Sequence, residues 1–382
     1  MASSSHTAVV KCPYNLNHPV SNEPIEPIPE HVLDQINSKD ARRLALRYVH
    51  DPVSFRRRFA KGGGAEKRAL RILVQMQTVN AIMRARYHLA PGIYCNIDPK
   101  LTPEIIFYAS DHQYNFFSKS PPAATTTENA CEISVIKGDC LETALWLRRT
   151  DPSCNPAVLV MASRSHPGGG FESGAGAQEE NLCRRTNLWQ ALLSVQDQCY
   201  PIPEYGGIYT KNALVIRKGE ESGYTFLPQP ELISFFNVAA INSPSTEPCK
   251  TRPNERRLCK KMVGIYRKKI ATMLNIALDQ GHDTVVLSAF GCGAYGNPPR
   301  HMAEIFKEVL RSPRMDVGID DDEKNNECGA GPPIAYVRMF RKIVFAIIDD
   351  HNAKSPGGNV RPFAEVFDQT PVDLGSVMGS AE

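Results

Sequence analysis

Two adjacent carboxylates, Glu179 and Glu180, close a glycine-rich run that starts at Gly168-Gly169-Gly170-Phe171-Glu172-Ser173-Gly174-Ala175-Gly176 and continues through Ala177-Gln178. Glycines leave backbone N–H groups open to a ligand and reach left-handed conformations at little cost. A helix is expected over 177–193, so the acids sit at its start, where phosphate is also favoured. Two acids beside an anion-friendly loop are an odd pairing unless one of them does chemistry. A carboxyl there can protonate a leaving oxygen and later take a proton from water. The bland alternative is a pair of first-turn acids complementing the helix dipole, worth a few tenths to ~1 kcal/mol.

A second loop has the same logic. The apolar run Thr284–Ala289 ends in Phe290-Gly291-Cys292-Gly293-Ala294-Tyr295-Gly296-Asn297-Pro298-Pro299, and a helix follows from about residue 300. Two strand–glycine-loop–helix units of one sheet put two anion-binding loops beyond the carboxyl ends of its strands. That arrangement suits a diphosphate joined to sugars, with Tyr295 able to press on a ribose; a tight turn with a structural Tyr is the plain alternative. A third strand end, Val135-Ile136-Lys137-Gly138, delivers Asp139 to the start of a helix. Asp139 reads first as an N-cap. From the same edge its carboxylate can accept a hydrogen bond from an exocyclic amine.

Gly168-Gly169-Gly170 followed by Gln178-Glu179-Glu180 resembles the signature of the poly(ADP-ribose) glycohydrolases of the compact microbial and fungal type, which are built on a macrodomain. The likeness extends to Tyr200-Pro201-Ile202-Pro203-Glu204-Tyr205-Gly206-Gly207-Ile208-Tyr209, to the Gly291–Pro299 loop, and to Tyr87-His88-Leu89 with Gly92-Ile93-Tyr94, all in the family's order over residues 55–350. The resemblance implies a substrate of ADP-ribose units joined by ribose–ribose bonds. Glu180 matches the catalytic acid, Glu179 the residue that holds ribose hydroxyls, and Gln178 orients the same region. Backbone amides of Gly168–Gly170 and of the Gly291, Gly293, Ala294 and Gly296 loop take the diphosphate and distal ribose, with Tyr295 packing on that ribose and Asn297 a further substrate contact. Asp139 matches an adenine-binding aspartate. Near-neutral acid catalysis needs a carboxyl that keeps its proton, a condition that burial and a neighbouring carboxylate favour. His166 departs from the pattern: the family commonly has Asn before Pro-Gly-Gly-Gly, and His serves a ribose only in a tautomer- and pH-dependent way. The resemblance implies no metal and no organic cofactor.

The elements that must carry these loops are legible in outline. Residues 1–30 read as an irregular tail and 31–88 as helical, with a first helix over 31–36, Asp40 capping a second to Val49, and an amphipathic helix over 66–87. Gly62-Gly63-Gly64 has no preceding strand and reads as a turn rather than a phosphate loop. From about residue 90, strands and helices alternate. Strands are expected at 132–136, 157–163, 207–216, 235–241, 284–290 and 342–348, and helices at 140–149, 177–193, 254–280 and 302–311. Uninterrupted apolar strands belong in a sheet covered on both faces. The class is α/β. The resemblance makes it a macrodomain-like mixed sheet flanked by helices on both faces, with an N-terminal helical extension. The expected organisation is an extension over 1–55, a glycohydrolase domain over 56–368 and a flexible tail over 369–382. The loops 243–252 and 315–333, the second holding Asp320-Asp321-Asp322-Glu323, read as surface insertions.

Bulk properties narrow the partners. The chain has 382 residues, 42% hydrophobic and 22% charged, in the range of ordinary globular proteins. A net charge of +3 gives no global case for nucleic-acid or membrane-surface binding. Arg56-Arg57-Arg58 and Arg256-Arg257 with Lys260-Lys261 are local basic clusters, which more often make solvated faces. The 11 cysteines and the absence of a basic-then-apolar leader suggest reduced thiols in the nucleus or cytoplasm. Cys12, His18 and His31 do not complete a zinc set. Expected partners are poly(ADP-ribose), ADP-ribose and ADP-ribosylated proteins, with no membrane, no sequence-specific nucleic acid and a monomeric chain. The implied role is reversal of ADP-ribosylation in the DNA damage response. Rival readings are a non-catalytic ADP-ribose reader, a hydrolase of another ADP-ribosyl linkage, and a nucleic-acid protein using the basic clusters.

Overall fold

The computed structural model describes residues 26–112, 114, 131–313, 334–349, 353 and 357–378. The Cys12–His18 pair, the acidic run 320–323 and the extreme ends of the chain lie outside the described residues. In chain order the elements begin with α1 (Glu30–Leu33), α2 (Ser38–Leu44), α3 (Pro52–Lys61) and α4 (Gly64–Met83). A hairpin of β1 (Arg86–Ala90) and β2 (Ile93–Asn96) follows, then β3 (Glu104–Tyr108), β4 (Glu132–Lys137), α5 (Cys140–Thr150) and β5 (Pro156–Ala162). Next come α6 (Gln178–Arg185), α7 (Leu188–Ser194), α8 (Gln196–Cys199), β6 (Gly207–Arg217) and β7 (Phe226–Ala239). The rest is β8 (Thr246–Pro248), β9 (Arg256–Leu258), α9 (Lys260–Asp279), β10 (Thr284–Leu287), α10 (Pro299–Arg311), β11 (Lys342–Ile347), α11 (Val360–Phe367), β12 (Val372–Asp373) and α12 (Leu374–Met378).

The eight-stranded sheet has the order β12-β4-β11-β10-β5-β7-β6-β3. Pairing from β12 to β7 is parallel, with Thr284 opposite both Pro156 and Lys342, and Val158 opposite Phe235. β6 and β7 are joined by only the stretch 218–225, too short for a parallel crossover, so they run antiparallel and the sheet is mixed. Neighbouring side chains on a strand point to opposite faces. All four residues of β10 and all but one each of β5 and β11 are buried, so both faces of the central sheet are covered. The α/β class read from the sequence is the observed one.

The chain forms two compact units. The first holds residues up to Ile106, Ser165–Tyr200 and Thr210–Ile233; the second holds Phe107–Arg164, Pro201–Tyr209 and Ser234 onward, so β3, β6 and β7 contribute to both. In the first unit, α2 packs on α4, and a cluster of Leu33, Ala41, Leu44, Phe55, Leu70, Leu73 and Val74 closes their core. α3 starts at Pro52 behind an Asp51 cap, and Gly62 ends it, so the glycine run is the turn into α4. In the second unit, α5 lies on β5, β10 and β11, while α11 covers β4 and packs on α10.

Several local expectations change. α2 is capped by Asn37, whose side chain accepts from Lys39 and Asp40 N–H, so Asp40 is inside the helix rather than its cap. α4 stops at Met83 because Ala85 takes a left-handed φ of 50°, and the chain turns into β1. The helix expected over 177–193 is two helices. Asn187 breaks it by accepting from Leu214 N–H at 2.8 Å, while Thr186 bridges to Val215. The start of the helix expected over 254–280 is instead β9, paired in a small hairpin with β8, which lies in the loop region 243–252. β7 begins nine residues earlier than read, despite Pro228 and Pro230. Past residue 368, where no element was expected, β12 pairs with β4 and α12 follows.

Candidate active site

Within the first unit, the chain enters the signature loop with Gly168 and Gly169 both left-handed, at φ of 71° and 58°. Gly169 N–H donates to His166 O, Phe171 N–H to Gly168 O, and Ala175 N–H back to Gly170 O, so the loop closes on itself. Phe171 anchors it by packing on Trp189 with ring centroids 5.0 Å apart, both rings buried. Burying a side chain of that size contributes about 1.5–3 kcal/mol.

α6 then presents the two acids. Glu179 is 3% exposed and Glu180 7% exposed. Gly170 N–H donates to Glu180 Oε1 at 2.8 Å. Glu180 Oε2 is buried and has no hydrogen-bond partner among the described residues. A buried polar atom without a partner costs about 1–3 kcal/mol, so it marks a position that a ligand would satisfy. Gly169 is the close neighbour of both acids: a Cβ there would lie 2.7 Å from Glu180 Oε1 and 2.9 Å from Glu179 Oε2. Those two carboxyl oxygens are therefore no more than 5.6 Å apart. Burial and the two carboxyls push the Cys183 thiol well above its ordinary range. Burial, with Glu179 adding to it, likewise raises the Tyr200 phenol. Cys183 and Tyr200 thus stay neutral beside the acids. Gln178 is half-buried as the first residue of α6, and His166 is exposed, with its carbonyl holding the Gly169 turn.

The second unit carries the other sequence-predicted residues. Asp139 caps α5, accepting from Leu141 and Glu142 N–H at 2.9 Å each. Its cap role holds independently of any ligand. The loop after β10 is folded by Cys292 N–H to Ala289 O, Gly296 N–H to Gly293 O and Asn297 N–H to Gly291 O. The Asn297 side chain is buried, and its amide donates to Ile241 O at 3.0 Å and Gly291 O at 2.9 Å. Asn297 is therefore a staple of this loop, with both amide hydrogens used inside the protein. Tyr295 is half-buried and its carbonyl accepts from Ser243 N–H; Ala294 and Gly296 are exposed at the tip and Gly293 is half-buried. Glu179, Glu180, Gln178 and Gly168–Gly170 thus gather in one unit, and Asp139 and the 291–297 loop belong to the other.

Sequence reasoning missed the groups behind α6. Arg184, fully buried, donates to Ala175 O at 2.7 Å and to Tyr224 Oη at 2.8 Å, and Arg71 from α4 forms a two-pronged pair with Glu220 at 2.8 and 3.0 Å. A charged residue between Leu70 and Ile72 on an apolar helix face was the available signal for Arg71. Three members of the basic clusters are ion-paired: Arg58 meets Asp34 and Glu66, Arg57 meets Glu30, and Arg257 approaches Glu304 at 3.9 Å. Among the described residues no group of three or more His, Cys, Asp or Glu could hold a metal, and no helix is long and apolar enough to cross a membrane.

Buried paired acids on a glycine loop are what the acid chemistry of a glycosidase needs, and comparison with known proteins says which kind. Residues 76–217 match the family described as the microbial-type PARG (poly(ADP-ribose) glycohydrolase) catalytic domain. The structure is similar to the crystal structure of poly(ADP-ribose) glycohydrolase from Thermomonospora curvata, at 25% identity and a TM-score of 0.57, covering 78% of this chain and 99% of that one. A single-substitution variant of that protein gives 25% identity, a TM-score of 0.55 and the same coverage. Its complex with the inhibitor ADP-HPD, at 24% identity, 77% and 98% coverage and a TM-score of 0.54, shares the fold. No curated protein matches the chain. The class is that of glycosidases acting on poly(ADP-ribose). Within it, residues 76–217 are similar to the microbial-type PARG catalytic domain.

Proposed function

We propose that this protein hydrolyses the ribose–ribose O-glycosidic bonds of poly(ADP-ribose) and releases ADP-ribose, with Glu180 as general acid and then general base. The observation that carries this reading is the Glu180 carboxyl: buried, fixed through Oε1 by Gly170 N–H, with Oε2 buried and lacking a hydrogen-bond partner among the described residues. In the first step the proton of Glu180 passes to the leaving ribose oxygen as the C–O bond breaks and positive charge develops at the anomeric carbon. Water then attacks that carbon and returns a proton to Glu180. An inverting pair of carboxyls stands about 6.5–9.5 Å apart, with water between them. Glu180 Oε1 and Glu179 Oε2 lie no more than 5.6 Å apart, and the two acids are neighbouring residues of one helix turn. That spacing is too short for an inverting pair; the resemblance assigns both proton transfers to Glu180 and the ribose hydroxyls to Glu179. Gln178 and His166 adjoin the same ribose region.

The finer assignments follow the resemblance. Amides of Gly168–Gly170 and of the 291–296 loop take diphosphate and distal ribose, Tyr295 packs on that ribose, Asn297 keeps the loop in shape, and Asp139 accepts from adenine. The catalytic domain is macrodomain-like and spans 56–368, after an extension over 1–55, with β12 of the following segment joined to its sheet and α12 after it. The chain acts as a nuclear or cytoplasmic monomer on ADP-ribosylated proteins in the DNA damage response, without membrane or sequence-specific nucleic-acid contacts. The direct test incubates the protein with poly(ADP-ribose) and follows free ADP-ribose chromatographically. Release of ADP-ribose supports the reading. Binding of ADP-ribose with no release from polymer replaces it with a non-catalytic reader.

A further inference from the structure

A closed circuit of hydrogen bonds runs through the loop that carries the acids. Gly170 N–H donates to Glu180 Oε1 at 2.8 Å, Ala175 N–H donates to Gly170 O at 3.1 Å, and Arg184 Nη1 donates to Ala175 O at 2.7 Å. Arg184 lies four residues after Glu180, one turn further along α6, so the circuit returns to the helix that bears the acid. Arg184 is itself held from outside. Its Nε donates to Tyr224 Oη at 2.8 Å, Tyr224 Oη donates to Glu220 Oε2 at 3.1 Å, and both Glu220 oxygens are taken by the Arg71 guanidinium. Arg71, Arg184 and Tyr224 are all buried, where a planar two-pronged pair fixes direction as well as charge.

Two further facts indicate that this geometry is imposed. Tyr224 sits at φ 55°, an uncommon conformation for a bulky residue that persists only where its surroundings over-determine it. Gly176, between Ala175 and the acids, passes so close to Arg71 that a Cβ would lie 2.3 Å from its Nη1. The Arg71 guanidinium therefore abuts the loop as well as its own ion pair.

We propose that Tyr224, with Glu220 and Arg71 behind it, is a positioning residue for Glu180: it locks Arg184, and through Arg184 and the 170–175 loop it sets where the acid carboxyl points. This rests on the function proposed above for Glu180. Arg71, Glu220 and Tyr224 reach the acid only through Arg184 and the loop, so their loss should reduce the rate of the chemical step more than substrate binding.

The test uses Tyr224→Phe, which removes one hydroxyl, and Glu220→Gln, which keeps the shape of the side chain. Three readings are taken: kcat and KM on poly(ADP-ribose), with active molecules counted by ADP-ribose binding, and amide exchange over residues 168–180. The expected result is a kcat lower by about ten- to a hundred-fold per binding-competent molecule, as a misplacement of the order of an ångström produces. KM should stay within about two-fold, and exchange at Gly170 and Ala175 should quicken. The double variant should be no slower than the worse single one, because both substitutions act through Arg184. A merely structural role would lower Tm but leave kcat per binding-competent molecule unchanged. A folded Tyr224→Phe with wild-type kcat overturns the inference; should it not fold, Glu220→Gln gives the same decision. If the wild type releases no ADP-ribose, the functional proposal fails, and exchange alone then decides the brace: faster at Gly170 and Ala175 supports it, unchanged refutes it.

Discussion

Gly169→Ala perturbs the acids without altering any functional group. At φ 58° an L-residue pays roughly 1 kcal/mol for the left-handed conformation that glycine adopts freely. The added Cβ would also lie 2.7 Å from Glu180 Oε1 and 2.9 Å from Glu179 Oε2, where ordinary contact begins at 3.4 Å. Each carboxyl must therefore retreat by about half an ångström or more, or the loop must lift by as much. Displacements near 1 Å at a reacting group cost up to about a hundred-fold in rate, so kcat should fall about ten- to a hundred-fold while Tm drops by only a few degrees. The assay is steady-state release of ADP-ribose from polymer, with Tm followed by circular dichroism. Gly64→Ala is the control: no atom lies within 4 Å of its added Cβ, and Ala favours the helix start. Wild-type kcat in a folded Gly169→Ala would refute the claim that this backbone sets the carboxyls.

Asp139→Asn keeps the α5 cap, since Asn serves that position as well as Asp does, whereas Asp139→Ala loses about 1 kcal/mol of stability. Calorimetry of ADP-ribose binding then separates the roles: weaker binding with unchanged Tm in Asp139→Asn marks a ligand contact, and unchanged binding leaves Asp139 a cap alone. His50 provides a pH test. Burial, with Arg217 adding to it, pulls its imidazole down to about 3, and the ring bonds to Gly223 O at 2.5 Å. The folded chain thus keeps His50 neutral while the unfolded chain protonates it near 6.5, so its contribution is complete above 6.5 and is lost as pH falls toward 3. Urea titrations between pH 7 and 4 should show the slope of stability against pH reduced in His50→Gln; an unchanged slope would exclude His50 as its source.

What the sequence disclosed and what it hid have physical causes. β5, β10 and β11 are short, largely apolar runs, and local pattern suffices to find them. Asp139 as a cap and the glycine loop before Glu179 and Glu180 are equally local signals. The break at Asn187 is different: it exists because Leu214, far along the chain, supplies an N–H to that side chain. The first half of β7 was obscured by Pro228 and Pro230, which pattern alone assigns to loops although long-range pairing admits them here. Asn297, read as a ligand contact, shows its stapling role only when Ile241 O and Gly291 O are seen within 3.0 Å of its amide. The brace behind α6 unites residues 71, 184, 220 and 224, and no spacing rule connects them.

Glu180→Gln puts the central claim to its sharpest trial, because the amide keeps the size of the side chain and gives up only its proton chemistry. Turnover of poly(ADP-ribose) should fall by at least about a thousand-fold, the upper range for losing acid and base assistance together, while ADP-ribose still binds with near wild-type affinity. Hydrolysis by Glu180→Gln at the wild-type rate would contradict the account, since the proton would then have to come from another group.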